Sequence, residues 1–265
     1  MKVIGRRRGA RALTLLELMV AVTILTVIIL GLYSMFDRTQ SAFRASITQV
    51  DVLEQGRAVV ELLSRELEQM RASQQVGGTN LYVAPIPFVG SFTQSRFDGT
   101  VYFTNEHQEV FFLNRPDHWH GIAYLVVAGS TNAADQVLYA NGVGTLARYE
   151  TATNQHLLIS NNLLTTFLNL TNLSNYQRVA EGVVHFAVRA YDTNGLLLLT
   201  NSYAFTNQDL PSYLEVELGV LETKAYEQAR SILNTNDQRA FLSDSNNIRG
   251  SRVHMFVQRI PVRSR

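Results

Sequence analysis

A chain of 265 residues that is 46% hydrophobic and 17% charged, with five prolines, has the make-up of a folded protein and is neither collagen-like nor disordered. The net charge of +1 hides a gradient: Lys2, Arg6, Arg7, Arg8 and Arg11 give residues 1–12 a charge of +5, and the 18 basic and 22 acidic residues that remain leave the rest at −4. No general nucleic-acid-binding surface follows from that distribution, and the absence of cysteine excludes disulfide frameworks, thiol nucleophiles and cysteine zinc sites.

Directly after the basic leader comes Ala12-Leu13-Thr14-Leu15-Leu16-Glu17-Leu18, and from Leu18 through Phe36 there are 19 residues without a charge. As a helix, residues 13–36 extend ~36 Å at ~1.5 Å per residue, enough to cross a hydrocarbon layer of ~30 Å. Cations on the leader side place the N-terminus in the cytoplasm and the bulk of the chain outside. Tyr33 and Phe36 fall where an interfacial aromatic belt lies. A removable secretory signal has a shorter apolar region of ~7–15 residues ending in a small-x-small site, whereas here Asp37 to Arg44 continues as helix. A plain single-pass anchor fits the length and flanks but leaves Glu17 unexplained. A carboxylate at the cytoplasmic lip of an apolar stretch either snorkels to the headgroups or awaits a partner from another subunit.

The helical pattern does not stop at the membrane. No proline precedes Pro85, and residues 45–72 read as an amphipathic helix with Val50, Leu53, Gly56, Val60, Leu63, Leu67 and Met70 at spacings of three and four. Gly56 puts a notch in that stripe where another backbone could approach. Arg57, Glu61 and Arg65 follow each other at i, i+4 on the opposite side, each pair contributing only ~0.2–0.5 kcal/mol. The stripe serves either the protein's own domain or a seam between subunits. Gln75-Val76-Gly77-Gly78 supplies the glycines that should end the helix.

Beyond residue 79 the period shortens to that of strands. Candidates are Leu81–Val89, Thr100–Thr104, Glu109–Leu113, Ile122–Val127, Val137–Tyr139, His156–Ser160, Gly182–Tyr191, Leu196–Phe205, Tyr213–Glu222 and Arg252–Val262, with Lys224–Leu233 as a short helix. Asp192-Thr193-Asn194-Gly195 reads as a turn between two strands. Val184, Phe186, Val188 and Ala190 alternate with His185, Ala187 and Arg189, and Leu214, Val216, Leu218 and Val220 alternate with Glu215 and Glu217, so each strand buries one face. Asn161–Asn175 reads as a polar connecting stretch. The fold class is therefore α+β: a long N-terminal helix packed on an antiparallel β-rich domain.

Motifs that carry chemistry are missing. There is no Gly-x-Ser-x-Gly elbow, phosphate loop or His-Glu-x-x-His. His118 and His120 could offer a metal two imidazoles, but no further ligand cluster accompanies them, and a loop or strand-edge role is preferred. Asp192 to Gly195 lacks the distal Glu of a calcium loop. Neither catalysis nor a cofactor or metal is expected.

The leader, the Leu-Thr-Leu-Leu-Glu-Leu core at residues 13–18 and the apolar helix together resemble the prepilin-type cleavage and methylation segment of type IV pilins and type II secretion pseudopilins. Where that family has Gly before the cut and Phe after it, this chain has Ala12 and Leu13. The resemblance implies a pilin-like fold with a 1–12 cytoplasmic leader, a 13–36 transmembrane half-helix, a 37–76 exported half and a 79–265 globular head. A membrane prepilin peptidase is implied to cut between Ala12 and Leu13, with methylation of the new Leu13 amine and pairing of Glu17 with the Leu13 amine of a neighbouring subunit. The tail narrows the resemblance. Val179-Ala180-Glu181-Gly182-Val183-Val184, the Tyr191-Asp192 turn, Leu210-Pro211-Ser212 before Val216-Glu217-Leu218, and Arg259-Ile260-Pro261-Val262 look similar to J-type minor pseudopilins. The implied protein is a minor subunit in or at the tip of a type II secretion pseudopilus in a bacterial inner membrane, its head periplasmic. Implied partners are other pseudopilins or pilins, the prepilin peptidase, the inner-membrane assembly platform and lipid. A minor pilin of a type IV pilus and an anchored binding protein outside any filament are the alternatives.

Overall fold

A computed structural model describes residues 14–86, 92–95, 102–128, 140, 142–153, 159–170, 172–199, 202–232, 237–238, 240–241 and 253–262. Two compact units divide the chain, residues 1–48 and 49–265, and one helix, α1 (Leu15–Glu68), belongs to both. In the first unit α1 is the whole of the described structure. Its large apolar side chains from Leu15 to Phe36 are 49–79% exposed, on every side of the helix. The threonine hydroxyls of the apolar run are satisfied at home: Thr23 donates to Val20 O at 2.8 Å and Thr26 to Val22 O at 2.8 Å. No threonine there asks lipid for a hydrogen bond.

In the second unit the same helix is one-sided. Val52, Val59, Val60, Leu63 and Leu67 are at most 5% exposed, as is Met70 just beyond the helix end, and burying each such side chain contributes ~1.5–3 kcal/mol. Val50 stays 48% exposed and Leu53 is half-buried, so the buried stripe begins later than the spacing suggests and draws in Val52 and Val59. Gly56 is buried in it, and its notch holds an aromatic ring, not a backbone: a Cβ at Gly56 would collide with the ring of Phe256.

The helix ends at Glu68, short of Gly77 and Gly78. Its last turn tightens, with the amides of Gln69 and Met70 donating to Glu66 O and Leu67 O, as 3₁₀ ends do. The chain is then captured by the sheet: Met70 bridges Asn114, and the Arg71 amide donates to Leu113 O. The glycines serve instead in the turn that leads into the sheet, where Gln74 and Gly77 have φ of 57° and 79°. Asn80 Oδ1 accepts from the Ser73 amide at 2.8 Å and Asn207 Oδ1 from the Gly77 amide at 2.8 Å, locking that turn.

The strands are β1 (Thr79–Pro85), β2 (Phe92–Ser95), β3 (Tyr102–Asn105), β4 (Gln108–Asn114), β5 (Trp119–Val127), β6 (Gly144–Thr153), β7 (Gln177–Tyr191), β8 (Leu197–Leu199), β9 (Tyr203–Thr206), β10 (Tyr213–Leu221) and β11 (Val253–Pro261). Nine of the described strands form one sheet, antiparallel throughout, in the order β11-β10-β7-β6-β5-β4-β1-β9 with β8 on β7, and β2 pairs β3 apart from it. The α+β expectation holds. The turn at Asp192 joins β7 to β8; Asp192 Oδ1 accepts from the amides of Asn194 and Leu196 at 2.8 and 2.7 Å, and Gly195 takes a φ of 78° that favours glycine.

Several elements differ from the sequence reading. Leu196–Phe205 is two strands, β8 and β9, with different neighbours. Ser160 is not in a strand but in α2 (Ile159–Leu168), which replaces the expected polar connection. Its Leu163 and Phe167, four apart, are buried, and the Phe167 ring stacks on Phe111 and Tyr149 at 6.1 and 6.2 Å. β6 had no counterpart in the reading. Residues 87–89, 100–101, 137–139, 156–158, 200–201 and 252 of the expected strands lie outside the described residues. The short helix near Lys224 is α3 (Thr223–Ser231).

One side-chain assignment inverts. The register of β7 slips between Gly219 and Val220 of β10, so that Val184 is the extra residue of a β-bulge. Val183 therefore joins Phe186 and Val188 in the main core, while Val184 joins Leu221, Ala225 and Tyr226 under α3. We expect Gly56→Val to lower stability by ~1–3 kcal/mol through overpacking against Phe256. Chemical denaturation of the detergent-solubilised chain measures it, and a Gly56→Val/Phe256→Leu double variant should recover part of the loss.

Candidate functional site

The N-terminal turn of α1 closes on itself. Glu17 Oε2 accepts from the Thr14 amide at 3.0 Å and from the Thr14 hydroxyl at 3.1 Å, while the Glu17 amide donates to Thr14 Oγ1 at 3.3 Å. This is a capping box: Thr-x-x-Glu satisfies reciprocally two of the amides that a helix start leaves unpaired. The signal stood in the sequence as Thr14-Leu15-Leu16-Glu17, directly before the apolar run. Both bonds to the carboxylate fall on Oε2, so Oε1 is left for a second donor. Glu17 is fully exposed in the chain by itself. Ala12 and Leu13, together with Lys2, Arg6, Arg7, Arg8 and Arg11, lie outside the described residues.

Among the described residues one helix, α1, is long and apolar enough to cross a membrane. Residues 7–33, which span the leader's last cations, Glu17 and most of the apolar run, match the family model described as the prokaryotic N-terminal methylation motif. The chain has a prepilin-type N-terminus. No curated protein and no solved structure gives a match.

A second carboxylate of α1 is treated quite differently. Glu66 points into the sheet, where Oε2 accepts from the Tyr124 hydroxyl at 2.6 Å and Oε1 from Arg148 at 3.0 Å (Nε) and 2.8 Å (Nη2). Arg148 Nη1 reaches Glu150 at 2.7 Å, and His120 Nδ1 meets the other oxygen of Glu150 at 2.7 Å. Burial and the Glu66 carboxylate both push the Tyr124 hydroxyl upward. At Glu150 burial works upward, but the hydrogen bonds from Arg148 and His120 outweigh it and hold the carboxyl below its usual range. His120 thus serves in an ion network and His118 is exposed. Among the described residues no group of three or more His, Asp or Glu side chains is placed to hold a metal.

On the other face of β7 and β10, Glu217 accepts from Arg189 Nε at 2.8 Å and lies 3.1 Å from His185 Nε2, whose Nδ1 accepts from the Glu106 amide at 3.1 Å. The Nδ1 contact assigns the proton to Nε2, so His185 donates to Glu217. Burial raises the Glu217 carboxyl, yet the bonds from His185 and Arg189 prevail and bring it down to about 2. None of Glu66, Arg148 and Glu217 carries a local sequence signal for these roles, because their partners come from elements distant in the chain.

Two measurements check these networks. Arg148→Met should lower stability by ~2–4 kcal/mol by stranding Glu66. That is below the figure for complete burial, since the two side chains keep 12% and 14% of their surface. Thermal melts across pH should show stability supplied by Glu217 above its ordinary 4.5 and lost as pH falls toward about 2. In that window the unfolded chain binds a proton that the folded carboxylate refuses, and Arg189→Gln should shrink the effect.

Proposed function

We propose that this chain is a prepilin peptidase substrate whose mature form is a non-enzymatic minor pseudopilin, assembled into or at the tip of a type II secretion pseudopilus. Its N-terminus is cytoplasmic, α1 crosses the bacterial inner membrane, and the sheet domain is periplasmic. The observation that carries the reading is the prepilin-type segment at residues 7–33, whose Glu17 sits at the mouth of a helix that is apolar all round. The loose resemblance of the tail to J-type subunits supports the secretion assignment over a type IV pilus.

The chemistry of the pairing follows. Cleavage between Ala12 and Leu13 creates an amine one residue before the helix cap. The positive end of the helix dipole disfavours a cation there, and the chain's own Glu17 already accepts from Thr14 through Oε2. A carboxylate from the adjoining subunit relieves the amine. In exchange, Oε1 of that neighbour gains the charged donor it needs when the helix is packed away from water. The pair sets the vertical offset between subunits, and the leader cations Lys2, Arg6, Arg7, Arg8 and Arg11 keep the uncut end in the cytoplasm.

Co-expression with a prepilin peptidase should give a product whose mass begins at a methylated Leu13; a product that keeps Met1 favours a simple membrane anchor and overturns the proposal. Glu17→Ala should insert into the membrane as the wild type does and fail to enter the filament. Glu17→Gln separates the two roles of this side chain, because the amide keeps an acceptor for Thr14 and loses the charge. Failure of both variants, scored by shearing and immunoblotting of the filament fraction, assigns assembly to the charge. Normal assembly of Glu17→Gln reduces the residue to a cap.

A further inference from the structure

We infer that β11 is a docking edge at which an extended, acidic segment of a different protein adds as a further strand. This inference does not depend on the assembly reading. β11 pairs with β10 along all nine residues, from Tyr213↔Pro261 to Leu221↔Val253, and on its other side it has no partner among the described residues. An uncovered edge of that length presents a row of free backbone donors and acceptors, and proteins blunt such edges with charge, proline or a covering element. Here Arg259 and Pro261 guard only the C-terminal end. Val253 to Gln258 contains no carboxylate, lysine or proline, and Val257 is 59% exposed.

Beside this edge runs a groove of about 500 Å³ between α1 and β11. Val60 and Phe256 give it apolar walls, and Arg57 and Glu61 also line it. Glu61 is held by Arg65 at 3.0 Å, whereas Arg57 has no ion-pair partner among the described residues. An added strand presents alternate side chains to one face. It would lay an apolar residue against Val60 and Phe256 and bring a neighbouring carboxylate to Arg57, the pattern of strand addition with a charge-selected partner.

Charge also decides against a second copy of this chain. Two β11 strands side by side would set the two Arg57 rims together, and the nearby acids of each copy are already engaged: Glu61 with Arg65, Glu215 with Arg259 and Glu222 with His254. The opposite edge of the sheet, β9, is four residues long and contains no carboxylate, so it would leave Arg57 unmatched and half of β11 bare.

The test uses the full chain in detergent micelles and two synthetic octapeptides that alternate valine with threonine, one carrying two glutamates and the other two lysines. Fluorescence anisotropy should show the glutamate peptide binding at least 10-fold more tightly than the lysine peptide. Hydrogen–deuterium exchange should show it slowing the amides of Val253–Gln258 and leaving β9 unchanged. Arg57→Glu lies on the exposed side of a formed helix, and it should reverse the preference between the peptides. Lack of binding by both at millimolar concentration, equal binding of both, protection elsewhere than β11, or a β11-protected homodimer without peptide would each overturn the inference.

Discussion

A single unbroken helix has to satisfy two surroundings, and the rest of the structure follows from how its side chains are distributed to do so. Backbone hydrogen bonding is the same along α1; what changes is the arrangement of apolar side chains around its axis. Up to Phe36 they point in every direction and nothing in the described chain covers them, the condition of a segment whose solvent is lipid. From Val52 they gather on one side and become the centre of a core. Between the two lie Phe43, Ile47 and Val50, at i, i+4 and i+7, exposed by 48–65% and beyond the uncharged run. Nothing among the described residues covers this line either, and charges such as Asp37, Arg38 and Arg44 make it unsuited to the hydrocarbon interior.

The carboxylates of the molecule show what each environment asks of an acid. Glu66 is taken into the sheet and is matched there by two nitrogens of Arg148 and the hydroxyl of Tyr124, so both of its oxygens are occupied. Glu217 is matched by Arg189 and His185. Each of these two carboxylates thus has charged or polar donors on both oxygens, which offsets desolvation, whereas Glu109, with the Tyr82 hydroxyl on one oxygen, is pushed upward by burial. Glu17 has donors on one oxygen only, and those are its own cap. That is sufficient in water or among headgroups and insufficient in a dry helix bundle. The difference between Glu66 and Glu17 is the physical content of the expectation that Glu17 takes part in assembly.

The features legible in the sequence were those encoded locally. The basic leader, the uncharged run and Glu17 are contiguous, and β7, β10 and β11 show themselves by alternation or by a β-branched run. What escaped reading depends on contacts between distant segments. Ile159–Leu168 is rich in Asn and Thr, poor helix formers, and becomes a helix because Leu163 and Phe167 find Phe111 and Tyr149. β6 is hidden because Gly144–Thr153 carries Thr, Ala, Arg and Glu in place of a clear apolar alternation. Its Arg148 is inward-facing for the sake of Glu66, a partner 82 residues away. Val184 follows the parity of its strand in the sequence and breaks it in the fold, since the bulge opposite Gly219 and Val220 adds a residue. The helix terminus was misplaced for a related reason: capture of Met70 and Arg71 by β4 ends α1 before the glycines are reached.

The sheet's own side chains bear on whether its edge can recognise anything. Arg259 of β11 lies over the ring of Tyr191 of β7 at 4.6 Å and reaches Glu215 of β10 at 3.3 Å, while the Tyr191 hydroxyl donates to Glu215 at 2.9 Å. Three adjacent strands are thereby tied across one face, and Phe256, seated on Gly56, ties β11 to α1 on the other. Contacts on both faces of a strand restrict the backbone along its unpaired edge. Association at a preordered edge avoids the entropic cost of fixing backbone on that side. This allows a short added strand to hold with few side-chain contacts and leaves discrimination to the charge at Arg57. The same notch that admits the Phe256 ring to the helix ties β11 to α1, so a side chain at Gly56 would disturb the docking surface as well as the core.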